Sequence, residues 1–176
     1  MHRLWIAATA FICACGPSGH FDTFELPSDI VGDTFQLFVR LPPAYDEGGD
    51  FPLVVQLDAN LPTLEEFATT ARLASELEAS GAIGPTLVIG VGYRTGAEAA
   101  RLRSRDYALP MENEAFRAVW EAATPQARAP DFFDFLRDEL MPEVRRRYRV
   151  AGVEQTSLFG HSMGGLFTVY AATRHD

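Results

Sequence analysis

The sequence has few cysteines, no long basic run and no long apolar segment beyond its N-terminus, and each shortage excludes a class of protein. Its two cysteines, Cys13 and Cys15, lie close to the N-terminus, so the rest of the chain has neither a disulfide framework nor a thiolate metal site. After residue 20, no apolar run is long enough to cross a bilayer. A net charge of −9 without a basic run argues against a nucleic-acid partner and indicates a solvated acidic surface.

The remaining composition is that of a globular domain. The chain has 176 residues, of which 47% are hydrophobic and 22% charged, and its 13 Phe can supply a substantial core. We therefore expect one domain, and no pattern in the sequence predicts a cofactor or a metal.

The first fifteen residues, MHRLWIAATAFICAC, have the pattern of an export signal. One arginine precedes a short apolar stretch, and the end of this segment resembles a bacterial lipobox. That resemblance implies that Cys15 becomes a lipidated N-terminus, with 1–15 as signal peptide, 16–20 as tether and 21–176 as the domain. We expect an exported protein anchored to the cell envelope of a bacterium. The alternatives are a plain secretory peptide, giving a periplasmic or secreted protein, and an uncleaved apolar helix.

The pattern along the domain predicts an α/β fold with a mostly parallel sheet. Two strands joined by turn residues predict an antiparallel hairpin, and two buried strands around a helix that begins at Thr63 predict a parallel crossover. Pro142 should kink or split the long helix that contains it. The predicted strands are 21–26, 34–41, 52–57, 85–91 and 156–160; the predicted helices lie within 63–80, 111–123, 131–148 and 163–173; and 93–110 is predicted to be a surface loop.

The most informative motif is Gly160-His161-Ser162-Met163-Gly164, which has the form G-x-S-x-G. In a nucleophile elbow, a serine lies on a sharp turn between a strand and a helix, where bulky neighbours would collide. Ser162 is then the candidate nucleophile, and the Met163 N–H can stabilise a developing oxyanion. The alternative is that the glycines only allow a strand and a helix to pack closely.

Further stretches resemble the putative-esterase family of α/β-hydrolases, which includes siderophore esterases, esterase D and the mycolyltransferase antigens. The similar segments are PLVVQLDAN at 52–60, VIGVGY at 88–93, RSRDY at 103–107 followed by Pro110, and the region from 135 to the elbow at 158–165. The resemblance implies the N-terminal half of an α/β-hydrolase fold and acyl transfer through an acyl-serine intermediate on a small-molecule ester. It also implies a second oxyanion donor after Leu57, by position the N–H of Asn60. Ala59 stands where the family often has glycine.

A serine nucleophile needs a base, and none of the four histidines is well placed. His2 and His20 lie in the signal and tether, His161 is adjacent to Ser162, and His175 is about 20 Å further along the same helix. In this fold the acid and the histidine follow the serine. We therefore expect both beyond residue 176, and we expect the 176-residue chain alone to be inactive, with an unpaired apolar sheet edge beside the serine strand.

Two other functions remain open. The first is a non-catalytic envelope lipoprotein with the same fold that binds a ligand, and the second is an acyltransferase that passes the acyl group to an alcohol instead of water. The sequence does not define the ester or the oligomeric state.

Overall fold

The structure is a computed structural model that describes residues 20–60, 65–110, 113–123 and 127–174. The predicted signal peptide with Cys15, the helix start at Thr63 and His175 lie outside the described residues.

A five-stranded sheet forms the centre of the described part of the chain. Its spatial order is β1-β2-β4-β3-β5, and β2 is antiparallel to both of its neighbours while the other four strands run in one direction. The strands are β1 (His20–Ser28), β2 (Asp33–Leu41), β3 (Leu53–Gln56), β4 (Leu87–Tyr93) and β5 (Thr156–Phe159). The α/β fold with an N-terminal antiparallel hairpin and a mostly parallel sheet is confirmed.

Helices cover both faces of this sheet. They are α1 (Glu65–Ala79), α2 (Gly96–Tyr107), α3 (Glu114–Ala123), α4 (Ala129–Asp134), α5 (Met141–Arg147) and α6 (Met163–Ala172), with short 3-10 turns at Pro43–Glu47 and Val153–Gln155. Among the described residues, no helix combines the length and the apolar character that a membrane span requires.

The sheet divides the core into two layers. On one face, Phe67 and Ala74 of α1 pack against Phe38 and Val88. On the other, the rings of Phe35 and Phe135 stack with their centroids 4.2 Å apart, at the centre of a larger cluster that includes residues of α2, α4 and α6. All seven residues of β4 are buried, as expected for a strand covered on both faces.

The long helix around Pro142 is split, as its sequence predicts. A π-helical stretch, Phe135–Leu140, joins α4 to α5, and the Met141 N–H donates to the carbonyl of Leu136 five residues back. Pro142 lies in the first turn of α5 and has no N–H to donate, so it interrupts the regular bonding pattern at this junction.

The prediction of a surface loop at 93–110 is wrong, because most of this segment forms α2. Its buried positions Ala99, Leu102 and Asp106 have helical spacing, but the apolar pattern is broken by a buried ion pair. Arg105 Nε donates to Asp106 Oδ1 at 2.6 Å, and the Tyr93 hydroxyl donates to the same carboxylate at 3.1 Å. Charges that are paired in this way can lie on the inner face of a helix, where hydropathy predicts exposure.

The far end of the sheet order is β5, whose outer edge has no partner strand among the described residues. Large apolar side chains are exposed on β5 and on the helix that follows it, including Phe159 at 50%, Leu166 at 49% and Val169 at 64%. The predicted apolar edge beside the serine strand is therefore present in the described part of the chain.

A buried ion pair fastens α1 to the sheet. Arg40 of β2 is fully buried and donates to both carboxylate oxygens of Glu78 at 2.6 Å. Its guanidinium also donates to the Thr86 carbonyl at 2.9 Å and the Ser75 hydroxyl at 2.9 Å. The cation therefore joins β2 to α1 and to the residue that precedes β4.

We predict that Glu78→Ala lowers the free energy of unfolding by about 3–5 kcal/mol, because it leaves the Arg40 charge buried without its carboxylate. Urea denaturation measures the change. Glu76→Ala is the matched control, since its i,i+4 pair with Arg72 is more than half exposed on both sides and contributes about 0.3–0.5 kcal/mol. Equal effects of the two substitutions would contradict this account.

Candidate active site

Two turns meet at one edge of the sheet. Strands β3 and β5 are parallel neighbours with Gln56 opposite Phe159, so the chain leaves both at their carboxyl ends. The Leu57 N–H then donates to the Phe159 carbonyl at 2.9 Å, which extends the pairing by one residue. Residues 57–60 and 160–163 are thereby held side by side, where open α/β sheets bind their ligands.

Ser162 lies on a sharp turn between β5 and α6. Its backbone has φ 54° and ψ −118°, the left-handed side of conformational space, and α6 begins at the next residue. Such a conformation costs a non-glycine residue about 1–3 kcal/mol, and it is found mainly where function requires it. The Ser162 residue is exposed, and Met163, as the first residue of the helix, has an N–H that the helix itself does not use.

Close backbone contact requires the glycine at 160, and Gly164 and Gly165 leave little room for a side chain. A Cβ added at Gly160 would lie 2.5 Å from the carbonyl carbon of Gly164, and one added at Gly165 would lie 3.1 Å from the Gly160 oxygen. A Cβ at Gly164 would approach Asp58 Oδ2 to 3.2 Å. The small size of Gly160, Gly164 and Gly165 allows α6 to begin directly over the end of β5. The close packing of these glycines and the strained turn at Ser162 therefore occur together.

An aromatic cluster holds α6 in place behind the serine. Phe167 is fully buried, and its ring centroid lies 5.1 Å from that of Phe132 and 5.8 Å from that of Tyr107. The helix that follows Ser162 is thus anchored in the main core, which fixes the position of the turn.

The second turn begins at Asp58, which also has a positive φ, 62°. Residues of α2 bind it from two sides. The Asp58 N–H donates to the Tyr107 hydroxyl at 3.3 Å, and Arg103 donates from Nε and Nη2 to the two carboxylate oxygens at 2.9 Å each. These hydrogen bonds from Arg103 to Asp58 raise the pKa of Arg103.

Sequence reasoning noted the RSRDY segment but missed this contact, because it placed the segment on a loop. The available signal was the i,i+4 spacing of Arg103 and Tyr107, which puts both on one face of a helix.

Asn60 lies in the same turn, with its side-chain oxygen and its backbone N–H both hydrogen-bonded. Its side-chain Oδ1 accepts from the Tyr93 N–H at 3.1 Å, and its own N–H donates to the Asp58 carbonyl at 2.9 Å. Ala59 is fully buried, and its N–H donates to the Val91 carbonyl at 3.1 Å. A Cβ added at Gly90 would lie 2.5 Å from the Ala59 Cβ, and one added at Gly92 would lie 1.7 Å from the Ala59 carbonyl oxygen. The turn therefore accommodates an alanine, because the glycines of the neighbouring strand β4 leave room for it.

The two turns border a polar cleft of about 430 Å³. It is lined by Asp58, Asn60, Glu65, Glu66, Arg103, His161 and Ser162. Of the predicted site residues, Ser162 and Asn60 line one cleft, and Met163 follows directly in the chain. Of the two described histidines, His20 begins β1 and His161 is the immediate neighbour of Ser162.

Comparison with known proteins defines the class. A family model described as putative esterase matches residues 28–176, and the chain belongs to this family. The chain is 28% identical over 138 residues to the ferri-bacillibactin esterase BesA of Bacillus subtilis, covering 77% of this chain and 47% of the relative. It is 24% identical over 159 residues to a siderophore triacetylfusarinine C esterase of Aspergillus fumigatus, covering 88% and 51%. The chain spans about half the length of these curated relatives.

Solved structures give the same fold. The siderophore hydrolase EstA of Aspergillus nidulans is 25% identical and superimposes with a TM-score of 0.68 over 96% of this chain and 56% of its own. An IroE-like serine hydrolase of Shewanella oneidensis, also 25% identical, has a TM-score of 0.65 over 86% and 46%. The described part of the chain thus has the architecture of α/β-hydrolase-like esterases.

We predict that Gly160→Ala destabilises the protein by about 1–3 kcal/mol, because the added methyl group meets backbone atoms of Gly164 that cannot move without displacing α6. Thermal unfolding monitored by circular dichroism measures the change. Gly84→Ala is the control, since a Cβ there meets nothing within 4 Å. Unchanged stability of Gly160→Ala would show that the close contact is not a constraint.

Proposed function

We propose that the whole protein is a serine esterase, that Ser162 is its nucleophile, and that this chain is its N-terminal part. The observation that carries the proposal is the strained backbone of Ser162 between β5 and α6, which presents an exposed hydroxyl at the edge of a polar cleft. Membership of an esterase family supports the reaction class.

In this mechanism, Ser162 Oγ attacks the ester carbonyl carbon, and the alcohol leaves as the acyl-serine forms. The Met163 N–H donates to the developing oxyanion. Water then attacks the acyl-serine, which releases the carboxylic acid and restores the hydroxyl. An alcohol in place of water would give the acyltransferase reaction.

The Asn60 N–H is the proposed second oxyanion donor. Because it donates to the Asp58 carbonyl in this structure, it must share that hydrogen bond with the oxyanion or exchange it. Its place in the turn beside Ser162 supports the assignment.

We propose that the base and its acid come from a segment beyond residue 176. His161 is adjacent to Ser162 in the chain and begins the turn. Its carbonyl accepts from the Gly164 N–H at 2.9 Å, so the backbone of His161 is part of the turn that presents Ser162. The exposed apolar side chains beside β5 are consistent with further chain packing there.

The proposed substrate is a small-molecule carboxylic ester. Two relatives are named for siderophore substrates, so ester-linked siderophores, in their free and iron-loaded forms, are the first compounds to test.

We predict that a fluorophosphonate probe labels the whole protein at Ser162 and that Ser162→Ala abolishes both labelling and aryl-ester hydrolysis, with a loss in kcat of about 10³-fold or more. Labelled peptides are identified by mass spectrometry. Ser80→Ala, at the exposed residue that follows α1, is the control for removal of a serine hydroxyl. A folded whole protein that takes up no probe would instead support the ligand-binding alternative.

We further propose that the protein is exported and anchored through a lipid on Cys15. We predict that Cys15→Ser abolishes incorporation of labelled palmitate in a bacterial host, because the acyl chains have no attachment point. Cys13→Ser is the matched control, two residues away in the same segment. Palmitate incorporation that persists in Cys15→Ser would rule out this anchor.

A further inference from the structure

Helix α2 holds the turn after β3 at Asp58. Arg103 binds both carboxylate oxygens in parallel at 2.9 Å, and Tyr107, one helical turn later, accepts from the Asp58 N–H at 3.3 Å. The Asp58 side chain is only 10% exposed, so this pair is largely shielded from water. Bidentate charge-assisted pairs of this kind fix direction as well as distance.

The turn at residues 57–60 needs stabilising contacts from another element. Asp58 adopts φ 62°, a conformation that costs an L-residue about 1–2 kcal/mol without compensation. The next two residues carry the Ala59 amide, which pairs with β4, and the Asn60 amide, which folds back on Asp58 itself. A change in the Asp58 backbone would therefore rotate the Asn60 N–H directly.

The same carboxylate also faces the elbow. Asp58 Oδ2 lies 3.2 Å from the position that a Cβ on Gly164 would occupy, so Asp58 fills the space between the turn and the start of α6. Arg103, bound to Asp58, lines the cleft with Ser162.

We propose that Arg103 is a positioning residue, which acts through Asp58 to hold the 57–60 turn in register with the Ser162 elbow; this rests on the proposed esterase function. Arg103 Nε and Nη2 are both bonded to Asp58, and the Tyr107 ring lies 5.7 Å from the guanidinium carbon. Two of the three guanidinium nitrogens are thus bound to Asp58, and we infer that the effect of Arg103 on the reaction passes through the turn.

The test measures ester hydrolysis by the whole protein with Arg103→Ala, Asp58→Asn and the double variant. Misplacement of a reacting geometry by about 1 Å costs on the order of 10²-fold, so we expect kcat to fall about 10- to 100-fold in each single variant with KM nearly unchanged. Because both residues act as one unit, the double variant should lose no more than the worse single variant. Arg103→Lys should recover part of kcat by restoring the charge without the bidentate geometry.

Arg94→Ala, which removes an exposed pair with Glu25, is the control and should leave both constants unchanged. A rise in KM at constant kcat for Arg103→Ala, or losses that multiply in the double variant, would overturn the proposal, since either result means direct contact with substrate or an independent role.

A second readout does not depend on activity. Hydrogen exchange followed by mass spectrometry should show faster exchange of the peptide containing Ala59 and Asn60 in Arg103→Ala, and unchanged exchange there would overturn the proposal. If the unsubstituted protein neither turns over esters nor takes up probe at Ser162, the esterase function fails, and the exchange data alone decide whether Arg103 fixes the turn.

Discussion

The site depends on the contact between Gly160 and Gly164, where the end of β5 and the first turn of α6 touch through backbone atoms. This contact forces the chain to reverse within two residues, and Ser162 at the apex takes a positive φ as a result. Phe167 then fastens the helix in the core. The strain at the serine is therefore maintained by packing elsewhere, as expected where a structure fixes an unfavourable local conformation.

The second half of the site is built differently. The turn after β3 has no glycine at its strained position, and polar contacts from α2 hold it in addition to the close packing of Ala59 against Gly92. Parallel pairing of β3 with β5 brings the two halves together at one sheet edge. The cleft thus combines a turn fixed by close packing of glycines with a turn that an ion pair also holds.

The sequence predicts the elements whose burial follows hydropathy, and it fails where charges are buried. The hairpin, β4 and the split at Pro142 follow from apolar spacing and proline geometry. Helix α2 was missed because Arg105 and Asp106 neutralise each other on its inner face, which a hydropathy pattern cannot represent. The nucleophile elbow can be predicted from the sequence because the spacing of its glycines reflects a steric requirement. The contact of Arg103 with Asp58 joins residues 45 positions apart, so local spacing can place Arg103 and Tyr107 on one face of α2 but does not identify Asp58 as their partner.

The central claim is that esters are cleaved through a covalent intermediate on Ser162. Rapid quenching of the whole protein with an activated ester, followed by peptide mass mapping, tests it most directly. The account predicts a burst of alcohol equal to the enzyme concentration and an acyl mass on the peptide that contains Ser162. Steady hydrolysis with no burst and no acylated Ser162 peptide would contradict it.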